Sequence, residues 1–301
     1  MTRSGQALDG KAVALMLFLT VSWGLNGVLA KISNTGYDPV FLTVARSVIA
    51  AVLVYLWCRY RGINLFERDG TLLPGAIAGA LFGVEFLCIF TGFEYSSVGR
   101  VSLLVNTMPF MVLVGAHFLL GERMTPAKVA GLALAFAGVA VIFSDKLSAV
   151  GDKVWIGDLL ALAAAALWAA TTLIIKATRL STASAEKVLM YQLVFSAIVV
   201  APVLLFVDEP IRDANLAATL ALLAQAAFVV AFTYLLWFWL MRHYPASALS
   251  SFTFLTPAFA VIGGWLILSE PLSWRLGLSL AMIAAGIYIV NRPRRTVPPS
   301  A

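Results

Sequence analysis

The chain alternates long apolar runs with short polar joints. Ten runs read as membrane-crossing helices: 12–30, 38–58, 72–92, 97–119, 126–144, 156–176, 186–207, 216–240, 246–268 and 274–291. At a rise of about 1.5 Å per residue, about 20 apolar residues cross a hydrocarbon layer of about 30 Å. The short joints predict antiparallel neighbours. Pro39, Pro74, Pro126 and Pro245 fall at or near the starts of runs, where a missing N–H costs little, and Pro293 follows the last run. The predicted class is an all-α integral membrane protein with ten transmembrane helices.

Composition agrees with that pattern. The 301 residues are 61% hydrophobic and 12% charged, with a mean hydropathy of +0.93. A soluble domain is about 45–50% apolar and about 25% charged. Ten spans leave only short tails, 1–11 and 292–301, and no room for a sizeable soluble domain. The net charge of +6 does not imply a nucleic-acid partner, because the basic residues sit at the ends of spans. Placing both termini in the cytoplasm puts fourteen of the 21 Lys and Arg inside, six outside, and Arg46 within a span. That bias predicts cytoplasmic termini. Arg3 and Lys11 precede the first run and no small-x-small cleavage site follows, so this run reads as a span rather than a removable leader. Cys58 and Cys88 lie in apolar runs and read as free, packed thiols.

An internal repeat organises the chain. Ser102, Pro109, Gly115, Leu120 and Glu122 match Ser250, Pro257, Gly263, Leu268 and Glu270 at an offset of 148. Trp23 and Lys31 match Trp168 and Lys176 at an offset of 145. The halves are 12–144 and 156–291, each with five spans. An odd number of spans makes the second copy enter the membrane from the opposite side. The expectation is an inverted 5+5 repeat, an arrangement that suits alternating access in transporters.

Polar residues at mid-depth single out candidate sites. Pro109 and Pro257 come about 12 residues into their spans. Each removes a backbone hydrogen bond, giving either a packing kink or a hinge beside a cavity. Ser102, Asn106 and Pro109 share one helical face, as do Ser247, Ser250, Phe254 and Pro257. Trp23, Asn26 and Gly27 share another, with Trp168, Thr171 and Thr172 at the equivalent positions. Any one of these residues reads as interhelical packing; together they suggest a solute cavity. The candidate lining set is Trp23, Asn26, Glu85, Asn106, Trp168, Thr172, Ser250 and Phe254.

Glu85 is the only acid well inside a span. Burying a charge at mid-membrane costs about 2.5–3.5 kcal/mol on insertion scales. Either Glu85 forms an intramembrane ion pair with Arg46, at similar depth, or it faces the cavity and takes a substrate ammonium or a proton. Gly75, Gly79 and Gly83 form a small-residue stripe for close helix approach, and Gly131, Gly138, Gly277 and Gly286 read as packing or oligomer faces. Trp237 and Trp239 fit an interfacial belt, and Glu122 a helix-end contact. The chain has no GxxxxGK[ST], GxSxG, HExxH or GxGxxG, so it reads as neither an enzyme nor an ATP-driven pump. No metal and no cofactor is expected.

The segments PFMVLVGAHFLLGERMTPAKVAGLALAFAGVAVI and PAFAVIGGWLILSEPLSWRLGLSLAMIAAGIYIV resemble the EamA repeat of the drug/metabolite transporter superfamily. SWGLNGVLAK and LWAATTLIIK resemble the starts of EamA units. Within the family the sequence is most similar to YddG-type exporters of aromatic amino acids. The resemblance implies a central cavity lined by spans one to four and six to nine, with Trp168 and Asn106 in its wall and Glu85 nearby. It also implies a multi-pass protein of the cell inner membrane that exports a small-molecule substrate, an amino acid or related metabolite. The chain would act as a monomer or homodimer in the lipid bilayer. A drug exporter of the same superfamily is the alternative, and a channel or scaffold a further one. Distantly related small multidrug transporters carry an acid in the first span; this chain has Asn26 there instead, which puts proton coupling by that route in doubt.

Overall fold

A computed structural model describes residues 8–96, 98–144, 152–268 and 274–292. Glu270, Lys146, Pro293 and most of both tails lie outside the described residues, as does the side chain of Lys31. The described residues form helices and connecting turns, without a β-sheet; Tyr37 and Ile211 make one isolated bridge.

The helices are α1 (Gly10–Ser33), α2 (Pro39–Arg61), α3 (Leu72–Tyr95), α4 (Val98–Val105), α5 (Met108–Leu119), α6 (Pro126–Phe143), α7 (Val154–Ala177), α8 (Ala185–Val200), α9 (Leu216–Ala224), α10 (Tyr234–His243), α11 (Ala246–Phe252), α12 (Leu255–Leu268) and α13 (Arg275–Asn291). Among the described residues eight stretches are long and apolar enough to cross a membrane; α6 and α13 are shorter apolar helices. Side-chain caps explain several starts. Asp9 accepts from the Ala12 N–H at 2.7 Å, Asp38 from Val40 at 2.8 Å ahead of Pro39, and Asn215 from Ala218 at 2.9 Å.

Besides 186–207, which ends in a 3₁₀ stretch at Ala201–Phe206, three spans are not uniform α-helices. The expected 97–119 is broken into α4 and α5, and 246–268 into α11 and α12. Both breaks fall just before a matched proline. Proline at i has no N–H and crowds the carbonyl at i−4, so the chain tightens into three-residue turns instead. Thr107 N–H donates to Leu104 and Phe110 N–H to Thr107; Thr253 donates to Ser250 and Thr256 to Thr253. The Asn106, Thr107 and Thr253 side chains also donate to carbonyls one turn back. The third span, 216–240, carries a π-helical stretch, Gln225–Thr233, between α9 and α10.

Packing pairs follow the repeat. Exchanging the halves converts the α1–α12 contact into α7–α5, and α3–α7 into α1 against α9 and the π stretch. The α6–α13 and α2–α8 contacts map onto themselves. Glycine permits the closest approaches: a Cβ on Gly83 would lie 2.9 Å from Ser196 Cα, and one on Gly131 would lie 2.8 Å from the Gly286 carbonyl oxygen. The small-residue faces of α6 and α13 thus meet each other within the chain.

Among the described residues the ion pairs gather at the two ends of the bundle. At the end where α1 begins, here the near end, Lys187 pairs with Asp69 at 2.8 Å and Asp9 accepts from the Tyr244 hydroxyl at 3.0 Å. At the far end Arg100 pairs with Asp158, and Arg212 with Asp38 at 2.9 Å and Glu94 at 3.3 Å.

Candidate functional site

A cavity of about 190 Å³ lies between the two broken spans, α1, α3 and α7. Trp23, Asn26, Glu85, Asn106 and Trp168 all line it, and so does Pro257. Thr172, Ser250 and Phe254 lie outside the wall, 2%, 0% and 0% exposed. Ser250 donates to the Ser247 carbonyl, and Phe254 packs edge-on to Phe110 and Phe136. Pro109 is buried in the first turn of α5, also outside the wall.

Aromatic rings make up much of the wall. Trp23 sits 6.3 Å from Trp168, 5.8 Å from Tyr234 and 5.4 Å from Trp237 between ring centroids. Trp237 is buried in this cluster, so it is a core residue and not part of an interfacial belt. The Trp23 indole N–H donates to Thr233 Oγ1 at 3.0 Å, which ties the first span to the end of the π stretch. Tyr234 follows that stretch directly, where the wider π winding shifts the register of the helix. Phe86, Phe90 and Phe93 face the same space from α3. Sequence reasoning missed Tyr234 and these phenylalanines, because an aromatic in a uniformly apolar span carries no periodic signal.

Glu85 is 3% exposed, lines the cavity, and its Oε2 has no hydrogen-bond partner. Of the two alternatives for Glu85, the ion pair with Arg46 is not formed. Arg46 stacks its guanidinium over Phe86, 3.6 Å from the ring centroid, with Phe90 at 5.2 Å. The ring faces take the place of a carboxylate as the partner of that charge. Arg46 Nε and Nη2 make no hydrogen bond, and Glu85 lies within electrostatic reach without contact. Asn26 Oδ1 and Thr256 Oγ1, on opposite halves of the wall, are also without partners. The cavity therefore offers one carboxylate, several neutral polar groups and aromatic faces. Among the described residues no cluster of three or more His, Cys, Asp or Glu is placed to hold a metal.

The cavity reaches toward the far end, where Ala30, Phe93 and Val101 line it. The near end is closed. Met108, Val112, Ala165, Ala169 and Ala246 pack together beneath Trp168. Below them, Glu122 is 9% exposed; its carboxylate accepts from Ala246 N–H at 2.9 Å, Ser247 N–H at 3.4 Å and the Ser247 hydroxyl. Gly121, at φ +69°, ends α5 in the left-handed turn that brings Glu122 round. Lys128 Nζ lies 4.0 Å from Glu122 and donates to Ser247 Oγ at 3.1 Å. Lys176 donates to the Met241 and Tyr244 carbonyls, each at 2.5 Å. Asp9, held below the usual carboxylate range by the Ala12 N–H, accepts from Tyr244; burial raises the Tyr244 phenol. Four elements thus grip the joint between α10 and α11.

Comparison with other proteins places this architecture. The sequence profile of the EamA-like transporter family matches residues 10–144 and again 155–292. The uncharacterized transporter YoaV of Bacillus subtilis is 27% identical, over 93% of this chain and 96% of its own length. A protein of Escherichia coli named as a probable amino-acid metabolite efflux pump is 28% identical, over 94% of this chain and 95% of its own. A crystal structure of the same fold superposes with a TM-score of 0.79 at 20% identity, over 96% of this chain and all of the other.

Proposed function

The chain belongs to the EamA-like transporter family, a multi-pass membrane protein, and from that premise we propose that it exports amino acids and related small metabolites by alternating access. The observation that carries this reading is the cavity. Its volume of about 190 Å³ is below the range of about 300–1,000 Å³ typical of sites for drug-sized ligands. It has an aromatic wall for an apolar body and one carboxylate for an ammonium. In this reading Glu85 takes the α-ammonium group, and the faces of Trp23, Trp168 and Tyr234 hold an aromatic or aliphatic side chain. Asn26, Asn106 and Thr256 supply hydrogen bonds to the rest of the solute.

The halves 12–144 and 156–291 act as inverted repeats, ten spans in all, with both termini in the cytoplasm of a cell with this protein in its inner membrane. The cavity then faces outward, and the gripped near end closes it from the cytoplasm. That closure favours a carrier over an open channel. The name of the Escherichia coli relative supports the substrate class. A liposome exchange assay with labelled phenylalanine, tyrosine and smaller amino acids, with and without a pH gradient, tests it. Saturable exchange is the expected outcome. No flux across a broad amino-acid panel overturns the substrate assignment.

A further inference from the structure

The cavity wall draws unequally on matched positions. Gly27 and Ala30 line it, whereas their counterparts Thr172 and Ile175 do not and are 2% and 4% exposed. Ser102 and Asn106 line it; Ser250 and Phe254, each 0% exposed, do not. In the other direction Pro257 and Ala260 line it, while Pro109 and Val112 are buried. Pairs near the centre, such as Trp23 with Trp168 and Val105 with Thr253, contribute both members. Apart from Phe254, which follows Thr253 directly, each excluded counterpart lies on the near-end side of those central pairs. One of the buried groups there is polar and unsatisfied: Thr171, the counterpart of Asn26, has an Oγ1 with no partner and is 4% exposed. A hydroxyl desolvated without a partner is costly, so this packing is poorly suited to be permanent.

We infer that the plug beneath Trp168 is a latent second cavity, lined by Ala169, Thr171, Thr172, Ser250 and Pro109, and that Glu122 is the gating residue that holds it shut. This rests on the alternating-access reading above. In the open form Thr171 and Thr172 meet water or solute, as Asn26 and Gly27 do in the far-end cavity. The latent wall has hydroxyls and small apolar groups but no carboxylate. A solute loading there meets neutral contacts first and reaches the Glu85 charge only at the centre.

Glu122 suits the gating role because its bonds cross between the halves. It reaches from the end of α5 in the first half to the Ala246 and Ser247 N–H groups in the second. Opening the plug requires α11 to leave α5 and α7, and this breaks those bonds together. Charge-assisted hydrogen bonds are stronger than neutral ones, so the closed state gains more from Glu than from its amide.

The test needs no transported substrate. In a Cys58→Ala, Cys88→Ala background, a Thr172→Cys or an Ala260→Cys reporter is labelled with a membrane-impermeant maleimide from either side of sealed vesicles. Glu122→Gln is expected to raise near-side labelling at Thr172→Cys about tenfold or more and to lower far-side labelling at Ala260→Cys. Ser247→Ala, a milder change, is expected to shift both in the same directions by a smaller factor, and it decides the matter if Glu122→Gln does not fold. Unchanged labelling at Thr172→Cys in the folded variants overturns the proposal, as does a rise at both reporters together, which marks general loosening. A reciprocal shift without amino-acid flux in liposomes supports the gate and overturns only the substrate assignment.

Discussion

The two broken spans have matched sequences and opposite surroundings. In the first, Ser102 and Asn106 face open space while Pro109 is packed. In the second, Pro257 faces the space while Ser250 and Phe254 are packed. The same local chemistry, a proline preceded by polar residues, interrupts both helices. What differs is which half of each helix lies toward the open end. In the proposed inverted arrangement equal sequences meet unequal environments, so away from the centre a lining residue in one repeat predicts a sealed residue in the other.

The largest effect expected from that contrast is on stability. Phe254→Ala removes a fully buried ring from its contacts with Phe110 and Phe136, at a cost of about 3–5 kcal/mol. Its match Asn106 sits in the wall, so Asn106→Ala should leave thermal unfolding in detergent within about 1 kcal/mol of the parent. Equal losses would break the contrast.

Next comes Glu85→Gln, which removes the charge from the wall. Loss of a charge-assisted hydrogen bond worth about 1.5–3 kcal/mol predicts amino-acid binding weaker by roughly tenfold to a hundredfold. A desamino analogue should bind the variant and the parent alike. Equal weakening of both ligands would show that Glu85 supports the structure and does not read the ammonium.

A smaller contrast separates the matched tryptophans. Trp23→Phe deletes the bond to Thr233 and should cost about 0.5–1.5 kcal/mol in thermal unfolding. Trp168 makes no hydrogen bond among the described residues, so Trp168→Phe should cost less than Trp23→Phe while still weakening solute binding.

The smallest effect lies outside the spans. The Lys187 ammonium, with help from Thr71, holds the Asp69 carboxyl well below the usual carboxylate range. A depressed carboxyl stabilises the fold at any pH above the ordinary value, and that contribution falls away as the pH drops through the lowered one. Asp69→Asn should therefore lower the melting temperature slightly at pH 7, and the gap from the parent should narrow on acidification. A gap that widens in acid would remove the pairing as its cause.

Much of this was legible in the sequence. The runs of about 20 apolar residues gave the spans, and the matched prolines gave the positions of both breaks. Trp23 and Trp168 stood out as a matched pair, and Asn26, Glu85 and Asn106 because polar side chains are unusual at mid-span. Tyr234 and Phe86 did not, since spans apolar on every side leave no periodicity by which to orient them. The π stretch before Tyr234 is invisible for a related reason: Gln225–Thr233 has ordinary helical composition, and nothing in it marks the change of winding. Nor does a sequence specify which of two matched faces is open, because both copies carry the pattern and only the adopted state distinguishes them.

Arg46 bears on how the protein is made. Its charge sits near the middle of α2, and its cover is the Phe86 ring of α3, the next helix to be synthesised. An exposed charge at that depth in lipid costs about 2.5–3.5 kcal/mol, and the ring faces recover part of it. The hairpin of α2 and α3 is therefore expected to enter the bilayer at lower cost as a pair than as two successive helices.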